Sequence, residues 1–439
     1  MRCSELPGPL ICATDIDPQH HAHDPRLRQR LHNHPQATVE FSLNYRFLHD
    51  DPGSAGCYNR GMDSWGIYVH IPWCESRCPY CAFNTYVEKT PPFHDYNEAL
   101  LRQWAAHKQD FRGAPSTIFF GGGTPSLHPP ELISTLIETF QPAPNAEITL
   151  EANPGGSSRE SLKAYRAAGI NRVSLGIQTF HKKHARFLNR GHSVADARQL
   201  LEDVALTGFE SWSADLIFAL PHQTLSEWME DLHTLLECKP PHVSLYGLTA
   251  EEGTPYTKAL QKGRFPEQDE ELWEAMMDTA CEVLKDAGLQ RYEVSNWARA
   301  GHQSRHNSLY WRGKHWMGLG AGAHGWHPQG LRTVGHLNPQ DFIRHSTAWK
   351  ESHRPTPKDQ AIELILSTIR HIDGIPLHTL HESGWQIQRE KLSIHLEKGL
   401  LVYGENSLQV HARGWKLINS LLLSLESALE PIAQNPSAH

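Results

Sequence analysis

The sequence predicts an α/β protein: a partial (β/α)6 TIM-type barrel followed by a C-terminal α-helical, winged-helix-like domain. The first observation behind this prediction is that six short runs rich in apolar and β-branched residues alternate with longer stretches of helical spacing. This alternation indicates a parallel sheet with right-handed helical crossovers. The second observation is that cysteines, glycine turns and polar residues gather at the ends of these runs, the active edge of a β/α barrel.

The predicted strands are nearly continuous apolar strings, as expected for strands that are covered on both faces. They lie at 66–71, 117–122, 147–152, 172–178, 213–220 and 242–248. The predicted helices lie at 94–112, 129–140, 158–168, 181–207, 224–237 and 268–287. Residues 62–290 are therefore predicted to form the barrel.

The pattern changes after the barrel. Residues 291–355 are dense in His, Trp, Tyr and Gly without clean periodicity, and we expect them to form a connecting region. Residues 356–430 are predicted to form the accessory domain. Its predicted elements are a helix at 361–372, a helix near 389–398, a hairpin over 400–410 and a final helix from 412. No basic stripe accompanies this domain, which disfavours DNA binding.

Residues 1–61 do not resemble the rest of the chain. They are rich in Pro, His, Asp and Arg and show no sustained period, which favours a disordered extension. The histidines that could alternatively bind a metal there are His20, His21, His23, His32 and His34. Because Met62 directly precedes the first predicted strand, a mis-assigned start is a further expectation.

The bulk composition excludes several classes of protein. The net charge is −8 over 439 residues and both signs are interspersed, so no nucleic-acid surface is expected. The mean hydropathy is −0.51, and no apolar run reaches the roughly 18 residues of a spanning helix. Without a signal-peptide pattern, we expect a cytoplasmic protein with at most peripheral membrane association. The eight cysteines do not form a disulfide framework.

Three of these cysteines, Cys74, Cys78 and Cys81, form a C-x3-C-x2-C triplet. Three thiolates are one short of a closed tetrahedral site, so a cluster held by them keeps one iron open. A zinc knuckle or a chance grouping is the alternative, but no second ligand pair follows at a matching spacing. The aromatic and proline neighbours that would shield a cluster are Pro72, Trp73, Pro79, Tyr80 and Phe83.

Polar residues lie at the same predicted edge as the cysteines. Gly122, Gly123 and Thr124 belong to a GGGTP turn that either binds a carboxylate or amino group or simply forms a tight turn. The other candidates at strand ends or in the following loop are Glu151, Gln178, Arg190 and Asp215. Their carboxylates suit ribose hydroxyls and an ammonium group, or an internal ion-pair network with Arg190.

A fourth motif lies outside the predicted strands, at Arg305-His306-Asn307-x-x-Tyr310-Trp311. Imidazole beside aromatic rings suits a haem, because histidine is a common axial ligand of haem iron. A hydrogen-bonded core histidine is the alternative for His306. For His324 in GAGAHG the two interpretations are a Gly-rich turn and a ligand.

Taken together, these motifs resemble the coproporphyrinogen-oxidase-like branch of the radical S-adenosylmethionine (SAM) superfamily, and are most similar to its HemW-type haem chaperones. The resemblance rests on YVHIPWC, GGGTPS, EANPG, GIQTF, DLIFALP and HNxxYW, in this order within residues 64–425. It implies a [4Fe-4S] cluster on Cys74, Cys78 and Cys81 whose open iron chelates SAM. The residues that it implies as SAM contacts are Tyr68, Tyr80, Gly122, Gly123, Thr124, Glu151, Gln178, Arg190 and Asp215.

Two features of the chain bear on its function within that branch. Phe83 stands where the oxygen-independent oxidase has a further cysteine, and the HNxxYW run resembles the signature associated with haem binding, which makes His306 the predicted haem contact. The resemblance therefore implies delivery of haem to acceptor proteins such as respiratory-chain enzymes, with an electron donor for the cluster. The alternatives are an oxygen-independent coproporphyrinogen III oxidase and a non-catalytic protein with a structural metal site.

Overall fold

The computed structural model of the chain describes residues 64–432. The predicted N-terminal extension, with the five histidines named above as candidate metal ligands, lies outside the described residues. In the described part, none of the helices combines the length and the apolar character that crossing a membrane requires.

A twelve-stranded sheet organises the molecule, and its first six strands are parallel and adjacent in chain order. Its strands are β1 (Gly66–Ile71), β2 (Thr117–Gly122), β3 (Glu147–Ala152), β4 (Arg172–Gln178), β5 (Ser211–Phe218), β6 (His242–Gly247), β7 (Gln290–Arg291), β8 (Asn296–Ala298), β9 (Trp316–Leu319), β10 (His324–Trp326), β11 (Arg332–Val334) and β12 (Glu351–His353). The spatial order is β12-β11-β10-β9-β1-β2-β3-β4-β5-β6-β8-β7. The sheet ends at β12 and β7 without closing, which confirms the predicted partial barrel.

Helices follow each of the six parallel strands. The helices up to β12 are α1 (Phe93–His107), α2 (Pro130–Phe140), α3 (Arg159–Ala167), α4 (Lys182–Phe187), α5 (Val194–Thr207), α6 (Leu225–Glu237), α7 (Pro255–Gln261), α8 (Glu270–Asp286), α9 (Arg305–Trp311) and α10 (Pro339–His345). The single helix predicted at 181–207 is two helices, α4 and α5. Asn189 adopts a left-handed backbone between them, and Ser193 begins α5 with a capping box.

The two faces of the parallel strands bury different side chains. On one face, residues such as Ile67, Val69 and Leu150 belong to the large apolar core that packs against the helices. The alternate positions point to the inner face and are often polar although they are buried, as at Thr149, Arg172 and Ser213. The interior of the open barrel is therefore a polar environment enclosed by an apolar shell.

The region predicted as a connection contributes to the same sheet. Strand β9 adds to β1 in parallel, and β10, β11 and β12 continue outward as an antiparallel series. On the other side, β8 and β7 pair antiparallel with β6 and with each other. These strands are two to four residues long, which is too short for a period-2 pattern to be recognised in the sequence.

The C-terminal unit has the element order of a winged helix. Its elements are α11 (Pro357–Thr368), β13 (Ile375–Pro376), α12 (Leu377–Glu382), β14 (Trp385–Ile387), α13 (Ser393–Glu397), β15 (Leu401–Tyr403), β16 (Ser407–Val410), α14 (Ile418–Ala428) and β17 (Leu429–Pro431). Strands β13, β16 and β15 form a three-stranded sheet that contains the predicted hairpin. The unit has its own apolar core, so the predicted helix-and-hairpin architecture is confirmed.

Backbone and side-chain contacts join this unit to the barrel next to β7. The backbone N–H of Val294 donates to the carbonyl of Arg370, and Glu293 forms a bridge pair with His371. The Arg291 guanidinium lies 5.0 Å from the centroid of the Trp297 ring and 4.9 Å from that of the Trp415 ring. An arginine between two indoles contributes about 0.5–2 kcal/mol per ring.

Glu293 lies at this junction and is completely buried. Burial raises the pKa of its carboxyl to about 7, against the opposing effects of the Ser295 backbone N–H and Arg291. The native state therefore holds the proton of Glu293 to a much higher pH than the unfolded chain does.

We expect this carboxyl to make the stability depend on pH. The stabilisation of the protonated form is complete below the unfolded pKa of 4.5 and is lost as the pH rises through about 7. The loss amounts to about 3 kcal/mol. Urea unfolding at pH 5 to 8 should show this decline in the wild type and a flatter profile in Glu293→Gln. The exposed Glu405→Gln is the matched control, and parallel profiles for Glu293→Gln and the wild type would contradict the expectation.

Candidate functional site

The three cysteines lie in a closed loop that follows β1. The short strand Trp73–Cys74 pairs with Tyr86–Val87, so the loop returns to its own start. At its base, the backbone N–H of Gly123 donates to Ile71 O at 2.8 Å, and that of Thr124 donates to Trp73 O at 2.8 Å. The end of β1, the cysteine loop and the GGGTP turn after β2 are thereby held together at one edge of the sheet.

The thiols influence one another within the loop. Burial raises the pKa of Cys74 and raises that of Cys81 to about 11, and the charge of Cys78 adds to both shifts. Among residues 64–432, no three His, Cys, Asp or Glu side chains converge closely enough to enclose a metal ion. The loop therefore brings three thiols near each other without forming a compact cage. Three thiols are nevertheless the donor set that suits an iron–sulfur cluster with an open iron.

The GGGTP turn needs its glycines in order to pack against the cysteine loop. Gly122 has a φ of 114°, and a Cβ there would lie 2.5 Å from the His70 ring. A Cβ on Gly123 would lie 2.5 Å from the carbonyl oxygen of Trp73. The same turn donates the Gly122 N–H to Glu151 Oε2 at 3.1 Å. The tight turn anticipated from the sequence is thus present, and it fixes a carboxylate beside the loop.

Three polar side chains converge on Gly176, at the end of β4. A Cβ on Gly176 would lie 2.4 Å from Asn153 Oδ1, 2.7 Å from Arg190 Nη2 and 3.0 Å from Gln178 Nε2. The pairing of β4 with β5 shifts register between Leu175 and Gln178, and Gln178 has a φ of 69°. A bulge of this kind changes the direction in which a side chain at the end of a strand points.

Arg190 links this polar group to the cysteine loop. Its guanidinium donates to Asn153 Oδ1 at 2.7 Å and to the Gly176 carbonyl, and its Nη1 lies 3.8 Å from Cys78 Sγ. Burial alone would lower the pKa of Arg190, but the facing Tyr80 and Cys78 raise it above its usual value. A permanently charged guanidinium therefore lies beside the cysteine thiols.

Asp215 supplies a half-buried carboxyl on the inner face of β5. Both of its oxygens lie 3.3 Å from Ser174 Oγ. Burial raises the pKa of Asp215 to about 6, although hydrogen bonds from Ser244 and Ser174 oppose the shift. At neutral pH this carboxyl is mostly ionised and able to accept hydrogen bonds.

The two predicted tyrosines have different surroundings. Tyr80 lies within the loop, where burial raises its pKa, and it packs in an apolar group that includes Phe187 and Tyr246. Tyr68 lies on the inner face of β1 and shares a hydrogen bond with His70 Nδ1 at 3.0 Å. His70 Nε2 in turn lies 2.9 Å from Asn84 O, within the loop.

Sequence reasoning missed His70, and it placed Asn153 within the EANPG motif after the third strand without assigning it a role. Both follow from the strand geometry once it is known: His70 alternates with Tyr68 on the inner face of β1, and Asn153 comes directly after β3. The Asn153 side-chain amide also donates to Thr124 Oγ1 at 3.1 Å, which joins the polar group to the GGGTP turn.

His306 lies away from these residues, at the opposite edge of the sheet. It is completely buried in α9, and its partners come from the beginnings of strands: Nδ1 lies 2.7 Å from Thr117 Oγ1, and its backbone N–H donates to Glu147. Its Nε2 lies 2.7 Å from the Tyr310 hydroxyl. Both ring nitrogens are thus occupied, and burial lowers the pKa of His306 to about 3. Haem contact by His306 stays a prediction that requires these bonds to open.

Comparison with known proteins adds to this geometry. The family model of the radical SAM superfamily matches residues 68–235. The chain is 34% identical to the heme chaperone HemW of Haemophilus influenzae over 373 residues, which cover 81% of this chain and 96% of that protein. It is also 34% identical to the heme chaperone HemW of Escherichia coli, over 81% of this chain and 96% of that protein.

A eukaryotic protein and a solved structure are also similar. The mitochondrial radical S-adenosyl methionine domain-containing protein 1 of Bos taurus is 34% identical over 87% of this chain and 91% of its own length. The structure of the coproporphyrinogen III oxidase HemN from Escherichia coli matches with a TM-score of 0.70, over 83% of this chain and 90% of that chain. The sequence identity to HemN is 21%, so this match concerns the fold alone.

The environment of His306 predicts a large effect of its removal on stability. His306→Ala deletes a buried ring and takes a partner from the Thr117 and Tyr310 hydroxyls, so we expect the free energy of unfolding to fall by about 3 kcal/mol. Urea unfolding measures this change. The exposed His378→Ala should cost less than about 0.5 kcal/mol. An unchanged unfolding curve for His306→Ala would mean that the ring is not held in this way.

Proposed function

The chain belongs to the family of HemW-type heme chaperones within the radical SAM superfamily, and from this membership we propose that it is a haem chaperone. In this proposal it binds haem, a [4Fe-4S] cluster and SAM, and it delivers haem to acceptor proteins such as respiratory-chain enzymes. The observation that carries the proposal is similarity over 96% of the length of a heme chaperone, together with the cysteine loop at the active edge of the barrel. An electron donor and a cytoplasmic location belong to the same proposal.

The cysteine loop would hold the cluster through Cys74, Cys78 and Cys81. When bound, a three-cysteine cluster supplies an open iron for chelation and one-electron reduction. Arg190, which contacts Cys78 and Asn153, would offset the negative charge of the thiolates. Arg190 contacts Cys78, and its neighbour Asn189 donates a side-chain hydrogen bond to the Arg77 carbonyl, which favours a cluster site that is rigid on the arginine side.

The polar residues around Gly176 would bind the SAM molecule. Gln178 and Asp215 offer an amide and an ionised carboxyl, which are suitable for hydroxyl and ammonium groups. The backbone of the GGGTP turn, with Gly122, Gly123 and Thr124, presents polar groups at the same edge. Tyr68, Tyr80 and Glu151 complete the proposed set.

Phe83 supports a chaperone over an oxidase. Its side chain follows Cys81 by two residues and has 45% of its surface exposed. A phenyl ring supplies no ligand and no proton, so it cannot replace the cysteine expected at this position of the oxygen-independent oxidase. The oxidase remains the alternative that an assay must separate.

Haem titration tests the proposed function. Addition of haem to the cluster-loaded protein should shift and sharpen the Soret band. Incubation of the same protein with coproporphyrinogen III, SAM and a reductant should yield no protoporphyrinogen IX. If haem causes no spectral change, the chaperone proposal is wrong. If protoporphyrinogen IX forms, the protein is the oxidase.

Gly176 allows a sharper test of the proposed SAM site. In Gly176→Ala the new methyl group collides with Asn153 and Arg190, so we expect SAM affinity to fall by at least about tenfold, or about 1.4 kcal/mol. Equilibrium binding of SAM to the cluster-loaded variant measures this. Gly191→Ala is the matched control, because nothing lies within 4 Å of its added Cβ. Equal SAM affinity in the two variants would place the cofactor elsewhere.

A further inference from the structure

Imidazole is a common ligand of haem iron, and the structure contains a pair of imidazoles at its surface. The rings of His336 and His345 lie close together, with centroids 5.7 Å apart and planes inclined by 42°. Within residues 64–432, neither of these two imidazole rings has a hydrogen-bond partner. His345 is exposed and His336 is half-buried. They therefore differ from His306, whose two nitrogens are both occupied.

Apolar surface adjoins this histidine pair. Leu337 directly follows His336, and 52% of its surface is exposed. Its carbonyl oxygen accepts hydrogen bonds from the Asn84 side chain at 2.8 Å and from the Tyr86 hydroxyl at 3.2 Å, so this segment lies against the end of the cysteine loop. Phe83, 45% exposed, precedes Asn84 in that loop. Single exposed apolar side chains are ordinary, but Leu337 directly follows an available imidazole, and Phe83 directly precedes Asn84, which bonds to Leu337.

Both histidines belong to segments that are held in place by contacts with the rest of the protein. The carbonyl of His336 accepts the backbone N–H of Gly322 at 3.0 Å. His345 ends α10, whose first turn is capped by the Asn338 side chain. Phe342 on the same helix is buried, and its ring lies 5.1 Å from that of Tyr96 on α1. Ligands held on rigid elements lose little freedom when they bind a metal.

We propose that His336 and His345 form a haem-iron site, with the porphyrin lying against Leu337 and Phe83. This inference rests on the proposed function and names the surface that would carry the cargo. A porphyrin is a broad apolar plane whose iron takes imidazole ligands, so a histidine pair flanked by exposed apolar side chains matches both of its binding needs. A surface site also leaves an edge of the porphyrin exposed, where an acceptor protein can reach it.

A double variant tests the iron contact. Haem titration of the full, cluster-loaded chain should show at least about tenfold weaker binding in His336→Ala/His345→Ala, with loss of the low-spin spectrum of imidazole-ligated iron. Iron-free protoporphyrin IX should bind the variant and the wild type equally, because it uses only the apolar contact. His378→Ala/His381→Ala, a pair on α12 in the C-terminal unit, is the matched control and should behave as the wild type.

A second variant tests the apolar contact. Leu337→Ser should weaken the binding of both haem and iron-free protoporphyrin IX by several-fold, because it removes apolar contact area that the two ligands share. Leu206→Ser, at an exposed position of α5, is the matched control. Equal affinities for Leu337→Ser and the wild type would exclude the apolar contact.

The outcomes separate this inference from the function on which it rests. If the wild type binds no haem, the chaperone proposal fails and the site fails with it. If the wild type binds haem and the double histidine variant keeps its affinity and spectrum, only the site is wrong. Loss of the imidazole spectrum in a folded His306→Gln protein, with the double variant unchanged, would assign the ligand to His306 instead.

Discussion

The site depends on the close packing of the GGGTP turn against the end of β1. The backbone N–H groups of Gly123 and Thr124 bond to the first residues of the cysteine segment, and this approach leaves no room for a Cβ at Gly122 or Gly123. The position of the three thiols therefore follows from the sheet itself. Because β1 and β2 are parallel neighbours, the loop and the turn necessarily leave the sheet at the same edge.

The residues around Arg190 show how irregular backbone adds the remaining groups to this edge. The break between α4 and α5 brings an arginine back over the end of β4, and the bulge before Gln178 turns an amide toward Gly176. Neither feature extends the regular strand–helix repeat. Both instead direct polar side chains at the place where the repeat ends, next to Cys78. The regular fold thus provides the platform, and its two irregularities provide the polar contacts.

The sequence was sufficient for the parts of the fold that have strong periodicity. The strand predicted at 117–122 agrees with β2 at both ends, and that predicted at 213–220 differs from β5 by two residues. Strands β8 to β12 were not predicted, because segments of three or four residues carry no readable period. The cysteine loop and the strand-end carboxylates were accessible from the sequence. The convergence of Asn153, Gln178 and Arg190 was not, because it depends on a bulge and a helix break.

His306 and Arg291 show two ways in which a local sequence motif fails to indicate the surroundings of a residue. The HNxxYW run suggests a ligand role for His306. Both nitrogens of its ring, however, lie within hydrogen-bond distance of the Thr117 and Tyr310 hydroxyls, and Thr117 comes close only in the tertiary structure. Arg291 belongs to no motif, yet it stacks between an indole of the barrel and one of the C-terminal unit. If the chain were cut after β12, Arg291 would lose one of these indoles and Glu293 its bridge partner His371. A barrel isolated in this way would expose a cationic and an acidic group that are buried in the full chain, so the barrel depends on the C-terminal unit for its own integrity.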